Sequence, residues 1–362
     1  MKRQIIELLR FLLELLQEKS GQSVSDFSNK KSSKPEKLPM ENEMPAQLME
    51  DRTPKTFKAE PLPIYYSDPI SRASIIGASI RGEDHKLNGL LCQDAYRVSA
   101  GSVAGETWVA IAVADGHGSK AHDLSHIGSA KACWSACQIL EEAIFENFSE
   151  TDGLQNFLNK KFPQNLMSFW WKSCQFDNWL NNQVNSEEKA SFNVERYGTT
   201  LLTTLLFKNT LFCCRIGDGD ITVRFNDGTL TQVFKDDEDL LGSQTYSLAS
   251  TNVFDHVDIH IFPRNKIQAI FLSTDGLCDA HDLPVFQNFL SAVYDQIQEY
   301  GPGPVSKLLP KSLEKVSEKF GDDITFFAMT LEKNGDNLEE ESKKPEVEPV
   351  QDNKDSISAS ET

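Results

Sequence analysis

The middle of this chain consists of apolar runs that repeatedly end in short turns containing aspartate and glycine. Two examples are WVAIAVADGHG at 108–118 and IQAIFLSTDG at 267–276, where a continuous apolar stretch predicts a buried strand. The aspartates at or beside such strand ends are Asp94, Asp115, Asp218, Asp220, Asp275, Asp322 and Asp323. A single aspartate at a strand end is usually a turn former. Converging carboxylates repel one another unless a cation lies between them, so the repeated pattern predicts a cation site where strand ends meet.

The order of strands and helices indicates the fold class. Strands are predicted mostly as sequence neighbours joined by short turns, including a hairpin over 221–234 with Asp-Gly at its turn. Helical patterns occur in blocks between them, at 124–148, 164–184, 285–299 and 304–319. This order favours an α+β layered fold built on antiparallel sheets over alternating βαβ units.

The chain divides into four predicted regions. We expect an amphipathic helix over 1–19, a flexible linker over 20–72, a folded domain over 73–331 and a disordered acidic tail over 332–362. The linker and the tail are rich in charged and small polar residues and contain few large apolar ones. Such segments cannot bury enough apolar surface to fold by themselves.

The predicted N-terminal helix needs a surface to cover it. One polar stripe contains Arg3, Glu7, Arg10, Glu14 and Gln17, and the remaining face is rich in Ile, Leu and Phe. The main domain, a second copy, a partner helix or a membrane surface could each cover that face. Because the stripe mixes acids and bases, which suits anionic lipid poorly, docking on protein or self-association through residues 3–18 is favoured over a membrane.

Net charge and cysteine spacing argue against several classes of protein. The formal net charge of −18 at pH 7 opposes general binding to nucleic acid or anionic membrane. The seven cysteines form no C-x-x-C pair, which argues against a disulfide framework or a zinc site and predicts reduced thiols in a cytoplasmic protein. Charged residues interrupt the apolar N-terminal stretch, so we predict neither a signal peptide nor a transmembrane helix there.

Hard divalent cations fit the predicted carboxylate cluster. Mg²⁺ and Mn²⁺ prefer oxygen ligands and keep several waters. Two such ions close together can polarise a phosphoryl oxygen, activate a water molecule and stabilise a leaving oxygen. The sequence has no G-x-S-x-G motif, no C-x5-R motif and no P-loop, so no side-chain nucleophile stands out. Gly116, which follows Asp115, would let a backbone carbonyl approach a metal closely.

Six acidic or glycine-rich segments occur in a fixed order along the chain. They are CQDAY at 92–96, VADGHG at 113–118, YGTTL at 197–201, IGDGD at 216–220, STDGL at 273–277 and GDDIT at 321–325. In this order they resemble the motifs of the metal-dependent type 2C protein phosphatases, most closely those of bacterial members, over about residues 73–331. The resemblance implies an antiparallel β-sandwich flanked by helices on both faces.

The resemblance also implies a centre of two divalent cations, Mg²⁺ or Mn²⁺, with assigned ligands. Asp115 would bridge the two ions, and the carbonyl of Gly116 would ligate one of them. Asp275 and Asp322 would complete the coordination, and Asp94 would hold metal-bound waters.

Three further positions match the family pattern. Asp279 and Glu195 match residues that hold a third, weaker cation in some members, although Glu195 stands where aspartate is usual. His117 matches the histidine of the most specific motif and is the candidate general acid for the leaving group. The alternative for His117 is a turn residue that bonds the backbone.

Besides Glu195, the sequence departs from the family pattern at Gly89 and Asp323. Gly89 stands where many members have an arginine that binds substrate phosphate, which leaves His85 nearby and Arg81 a little earlier as predicted phosphate contacts. The last motif has Asp323 where asparagine is usual, so Asp323 competes with Asp322 as the ligand, and alignment favours Asp322.

The predicted function is hydrolysis of a phosphate monoester, on serine or threonine of a protein, by a hydroxide held between two cations. The alternative is a catalytically weak or inactive phosphatase-like module that binds phosphorylated partners, for which the missing arginine is the best support. A third hypothesis makes the N-terminal helix the functional part and the phosphatase domain the cargo of a scaffold.

Overall fold

A computed structural model describes residues 64–68, 73–147, 151–184, 191–235 and 245–331 of the chain. The predicted helix over 1–19, most of the predicted linker over 20–72 and the predicted tail over 332–362 lie outside these residues. The strands are β1 (Ile64–Asp68), β2 (Ala73–Ile80), β3 (Ala95–Val103), β4 (Glu106–Ala114), β5 (Leu201–Phe207), β6 (Thr210–Ile216), β7 (Asp220–Phe225), β8 (Leu230–Gln232), β9 (Asp258–Pro263), β10 (Ile267–Ser273) and β11 (Ile324–Leu331).

These strands form two antiparallel sheets. The six-stranded sheet has the order β1-β2-β11-β10-β7-β8, and the five-stranded sheet has the order β3-β4-β5-β6-β9. β7 and β8 pair as the hairpin predicted over 221–234, and Gly228 takes the positive φ of 88° that its turn requires. The five-stranded sheet is a run of sequence neighbours up to β6, as the short turns predict.

The apolar runs are continuous because both faces of the central strands are buried. On β4, Val109, Ile111 and Val113 belong to the core between the two sheets, whereas the intervening residues Ala110 and Ala112 pack towards helices. β11 repeats this alternation against the other helical layer. A strand that is covered on both sides has no polar face, so its sequence does not alternate.

Helices cover the outer face of each sheet. They are α1 (Glu83–Leu87), α2 (Ser125–Asn147), α3 (Thr151–Lys160), α4 (Phe162–Val184), α5 (Asp275–Cys278), α6 (Leu283–Tyr300) and α7 (Pro302–Phe320). α2, α3 and α4 share a core with the five-stranded sheet, and α6 and α7 share a core with the six-stranded sheet. The predicted α+β sandwich of antiparallel sheets with helices on both faces is therefore confirmed. Among the described helices, none combines the length and the apolar character needed to span a membrane.

Two elements differ from the predictions. β1 lies inside the range 20–72, for which a flexible linker was predicted, and it pairs with β2 as an edge strand. Its Ile-Tyr-Tyr sequence favours a strand, so the linker boundary at 72 needs correction. α3 was not predicted, because Gly153 in its first turn disfavours a helix. Burial of Leu154 and Leu158 in the core beside α2 outweighs that cost.

Candidate active site

The acidic strand ends meet at one cavity of about 1230 Å³ between the ends of the two sheets. Asp115 directly follows β4 of the five-stranded sheet, while Asp275 begins α5 just after β10 of the six-stranded sheet. The carboxylates on the lining are Asp115, Glu195, Asp218, Asp275, Asp279 and Asp322. Asp94, which precedes β3, is buried and interacts electrostatically with Asp115 and Asp275. Of the seven strand-end aspartates, four therefore line this cavity: Asp115, Asp218, Asp275 and Asp322.

Two consecutive threonines hold the backbone of Asp115. The Asp115 N–H donates to Thr200 Oγ1 at 3.0 Å, and its carbonyl accepts from the Thr200 N–H at 2.8 Å and from Thr199 Oγ1 at 2.7 Å. Both threonines are buried. The YGTTL segment thus fixes the backbone from which the Asp115 carboxylate projects at the end of β4. This is a structural role for the segment that does not depend on its resemblance to a family motif.

Gly116 is required by a close approach of backbone segments. A Cβ placed on Gly116 would lie 2.7 Å from the Gln93 carbonyl oxygen and 2.9 Å from the carbonyl of Ser125. The Gly116 N–H donates to the same Gln93 oxygen at 3.2 Å. The sequence analysis expected a glycine here because a metal would approach the backbone. The structure gives a second reason, since packing against residues 93 and 125 leaves no room for a side chain.

Burial and mutual repulsion disfavour charge on the buried carboxylates. Burial, followed by the fields of Asp94 and Asp275, raises the pKa of Asp115 well above its usual range. Burial raises the pKa of Asp275 to about 6, although its hydrogen bond with Asp115 acts in the opposite direction. Asp94 has a strongly raised pKa for the same reason, burial first and neighbouring carboxylates second. Without cations these groups are held together against their electrostatic preference.

The donor set fits hard divalent cations in its chemistry. Asp94 Oδ1 and Asp275 Oδ1 are both buried and lack a hydrogen-bond partner among the described residues. A buried carboxylate oxygen without a partner is costly, and a cation is the group that would satisfy it. Across the described ranges, no three Asp, Glu, His or Cys side chains are already grouped tightly enough to cage an ion.

The neighbouring residues Asp322 and Asp323 have different surroundings. Asp323 is only 2% exposed, and its carboxylate accepts the backbone N–H groups of Gly82 and Gln93 and contacts His85 Nδ1 at 2.9 Å. Asp322 lines the cavity and accepts the Asp323 N–H at 2.8 Å. Asp323 is thus engaged in holding the segment 82–93, while Asp322 faces the cavity.

Two imidazoles stand side by side at the cavity. The ring centroids of His117 and His122 are 5.0 Å apart. A Cβ on Gly198 would lie 2.8 Å from the His117 ring and 2.7 Å from the His122 ring, so this glycine gives both rings their room. Burial and the proximity of His122 lower the pKa of His117 to about 4.

Of the four residues predicted to bind phosphate or a third cation, three line the cavity and one does not. His85, Glu195 and Asp279 all line the cavity. The exposed Arg81 side chain does not line it and instead donates to the Leu90 carbonyl at 3.4 Å. Gly89 has a φ of +68°, and a Cβ placed on it would have no atom within 4 Å. Gly89 is therefore part of an open turn.

Some of the cavity lining was not predicted from the sequence. Asp218 and His122 line the cavity, as do hydroxyl-bearing residues of the segment 245–251. Asp218 was recognised as a strand-end aspartate but not as a site residue, and its electrostatic interaction with Asp275 places it beside the buried carboxylates. His122 follows His117 by five residues, and only the turn between them brings the rings together.

A family model described as Protein phosphatase 2C matches residues 81–315 of this chain. No curated protein matches the sequence significantly. A serine-threonine phosphatase 2C from Toxoplasma gondii is similar in structure with a TM-score of 0.50 at 12% identity, covering 75% of this chain and all of that one (100%).

Two further solved structures are similar to this chain. Serine/threonine phosphatase Stp1 from Staphylococcus aureus gives a TM-score of 0.48 at 16% identity, over 74% of this chain and 98% of that one. The catalytic domain of serine threonine protein phosphatase PstP, solved with two manganese ions, gives 0.40 at 19% identity, over 72% of this chain and 99% of that one. At identities this low, structural likeness concerns the fold alone.

Proposed function

Since the chain belongs to the protein phosphatase 2C family, we propose that it is a phosphatase that hydrolyses phosphate monoesters on serine or threonine of proteins with the help of divalent cations. The observation that carries this proposal is the convergence of Asp115 and Asp275, which follow strands of two different sheets, on one cavity beside a buried carboxylate oxygen that has no partner among the described residues. Such an arrangement is unfavourable in a protein that holds no cation there.

The carboxylates at the base of the cavity would hold the cations. Asp115, Asp275 and Asp322 would be direct ligands together with the carbonyl of Gly116, and Asp94 would orient the waters around them. Two bound Mg²⁺ or Mn²⁺ ions would neutralise phosphate charge and make water a better nucleophile. Glu195 and Asp279 line the same cavity and would hold a third, weaker cation.

Hydrolysis requires a proton for the leaving oxygen. The attacking water gives up a proton as its oxygen joins phosphorus and the bond from phosphorus to the serine or threonine oxygen breaks. The serine or threonine oxygen takes up a proton, so the products are inorganic phosphate and the free hydroxyl. His117 is the proposed donor. Its low pKa of about 4 keeps the free imidazole neutral at pH 7, so the arrival of the anionic phosphate would be what favours the imidazolium.

Phosphate capture follows from the same lining. His85 is the proposed phosphate contact, because its ring lines the cavity while Asp323 fixes its Nδ1 edge. Arg81 would have to leave its contact with Leu90 to reach a substrate, so its proposed role is secondary.

Residues 3–18 are proposed to bind a partner or a second copy, outside the catalytic domain. All seven cysteines are free thiols, which supports a reducing compartment such as the cytoplasm. Deletion of residues 1–60 would test the partner proposal, because it should change the oligomeric state measured by light scattering. An unchanged mass and unchanged partner recovery would contradict it.

A second candidate function is a phosphatase-like module that binds phosphorylated partners without turnover. One observation favours it: among the described residues, the cavity lining contains no lysine or arginine, and Gly89 replaces the family arginine. A phosphatase that binds phosphate weakly has a high KM, whereas a binding module releases no phosphate at any substrate concentration.

One experiment separates these functions. The full chain is stripped with chelator and then assayed with Mg²⁺ or Mn²⁺ on an aryl phosphate and on phosphoserine and phosphothreonine peptides. We expect cation-dependent phosphate release that chelator abolishes. Calorimetric binding of cation and phosphopeptide with no release under any divalent cation would support the binding module instead.

A further inference from the structure

The cavity must bind a phosphate dianion without a guanidinium or an ammonium group. Its described lining contains six carboxylates and three imidazoles, and no lysine or arginine. Cations would offset part of the negative charge, but phosphate oxygens that point away from them still need hydrogen-bond donors. The imidazoles of His85, His117 and His122 are the side chains best suited to supply them.

Ser119 fixes the orientation of the His122 ring. Ser119 Oγ accepts the Ala121 N–H at 3.2 Å and lies 2.9 Å from His122 Nδ1. Because Ser119 Oγ already accepts the Ala121 N–H, its own hydroxyl is placed to donate a proton to Nδ1. With Nδ1 as the acceptor, the ring proton of a neutral imidazole resides on Nε2.

We propose that His122 binds the substrate phosphate by donating its Nε2–H to a phosphate oxygen. It would take the place of the arginine that many family members have at the position of Gly89. The proposal rests on the phosphatase function and deepens it by naming a phosphate-binding residue. A neutral imidazole with its proton on Nε2 is a hydrogen-bond donor, so no positive charge is needed. This suits a cavity already rich in carboxylates.

The other two imidazoles already have proposed roles, His85 as a first phosphate contact and His117 as the proton donor. His85 has its Nδ1 against the Asp323 carboxylate. His117 is the proposed proton donor to the leaving oxygen, and burial holds its pKa low. Gly198 supplies the space that His122 needs, because a Cβ there would lie 3.1 Å from Nε2. His122 therefore combines access to the cavity, a set tautomer and no competing role.

Substitutions that mimic one ring nitrogen test the proposal. In His122→Gln the amide nitrogen reaches about as far as Nε2, whereas in His122→Asn it reaches only the position of Nδ1. His122→Ala removes both nitrogens. The control is His260→Ala, because His260 is an exposed histidine of β9 that does not line the cavity.

Two readouts are measured on the full chain loaded with Mn²⁺: the Kd of inorganic phosphate by calorimetry and the KM and kcat for an aryl phosphate. We expect His122→Ala and His122→Asn to weaken phosphate binding and raise KM by about 10- to 100-fold, the worth of a hydrogen bond to a charged group. His122→Gln should restore most of the affinity, and His260→Ala should match wild type. Ser119→Ala should weaken binding less than His122→Ala, because it frees the tautomer without removing the donor.

Several outcomes would overturn the proposal. Wild-type phosphate affinity in His122→Ala with an unchanged melting temperature would do so, as would equal losses in the Gln and Asn variants. A loss of Mn²⁺ affinity in His122→Ala that accounts for the whole phosphate effect would also overturn it. If wild type binds phosphate but hydrolyses nothing, the phosphatase function fails while the calorimetric series still decides the role of His122.

Discussion

Two groups of aspartates at strand ends differ in their surroundings. Asp323 and Asp220 are the anchoring aspartates, and each accepts hydrogen bonds from donors supplied by the fold. Asp220 receives the Thr222 hydroxyl at 2.6 Å and the Gln232 amide at 2.8 Å. The aspartates proposed to bind cations or their waters, called the catalytic aspartates below, are Asp94, Asp115, Asp275 and Asp322. The fields of neighbouring carboxylates help to raise the pKa of each.

The contrast teaches what each group contributes to folding. A buried carboxylate with several donors is a structural element, and its removal leaves those donors unsatisfied. A buried carboxylate among carboxylates has a raised pKa and costs folding free energy, so a partner from outside the chain must offset that cost. Chain position does not distinguish the groups, because Asp322 and Asp323 are adjacent.

The largest effect that would sharpen this contrast is on catalysis. Asp115→Asn or Asp275→Asn removes a proposed cation ligand at the point where the two sheets meet. Because such ligands are worth several kcal/mol of transition-state stabilisation, we expect the rate to fall at least about 1000-fold. The measurement is phosphate release at saturating Mn²⁺.

The control for this prediction is Asp227→Asn, the same chemical change at the exposed hairpin turn. It should leave the rate as in wild type. If Asp115→Asn keeps more than a tenth of the wild-type rate, the catalytic aspartates do not hold the cations.

The adjacent pair offers the next largest effect, on stability. Asp323→Asn leaves two backbone N–H groups without a charged acceptor, so we expect a loss of about 2–4 kcal/mol in the free energy of unfolding. Asp322→Asn should leave stability nearly unchanged and weaken Mn²⁺-dependent activity instead. Urea unfolding and the activity assay are run on both variants.

The opposite assignment, with Asp322→Asn destabilising and Asp323→Asn merely inactive, would make Asp323 the ligand. Asp323→Asn is assayed well below its melting temperature, so that lost activity is not confused with unfolding. There it should retain most of the wild-type rate.

The sequence predicts much of this arrangement, and the failures share a cause. Continuous apolar runs predict the central strands because those strands are buried on both faces. The acidic turns predict the candidate site because carboxylates that converge at several strand ends repel one another unless a cation offsets their charge. The division between Asp322 and Asp323 depends instead on which donors the distant segment 82–93 supplies, and α3 depends on burial against α2. Such contacts come from tertiary packing, which local patterns do not contain.

A third prediction concerns pH in the metal-free protein. The pKa of Asp275 is raised to about 6 in the folded state against 3.8 for the free side chain, so the folded state binds its proton more tightly. Stability from this group is present below pH 4 and is lost as pH rises through 6. Wild type in chelator should therefore be less stable than Asp275→Asn by roughly 2–3 kcal/mol at pH 7.5, with little difference near pH 4.

Urea unfolding of both proteins at the two pH values measures this gap. Saturating Mn²⁺ should reverse it for wild type, because a ligand that binds only the folded state stabilises it. A gap of equal size at both pH values would show that repulsion among the catalytic aspartates is not its origin.

The smallest effect concerns Asp218 and Asp220, which are separated by a single glycine. Asp220→Asn turns an amide N–H₂ towards a donor, so we expect a loss of about 1–2 kcal/mol in the free energy of unfolding and little change in rate. Asp218→Asn relieves repulsion with Asp275, so stability should hold or rise slightly while the rate falls several-fold. If both variants lose stability and neither loses rate, Asp218 is an anchoring aspartate although it lines the cavity. Lining the cavity would then not be enough to identify a catalytic aspartate.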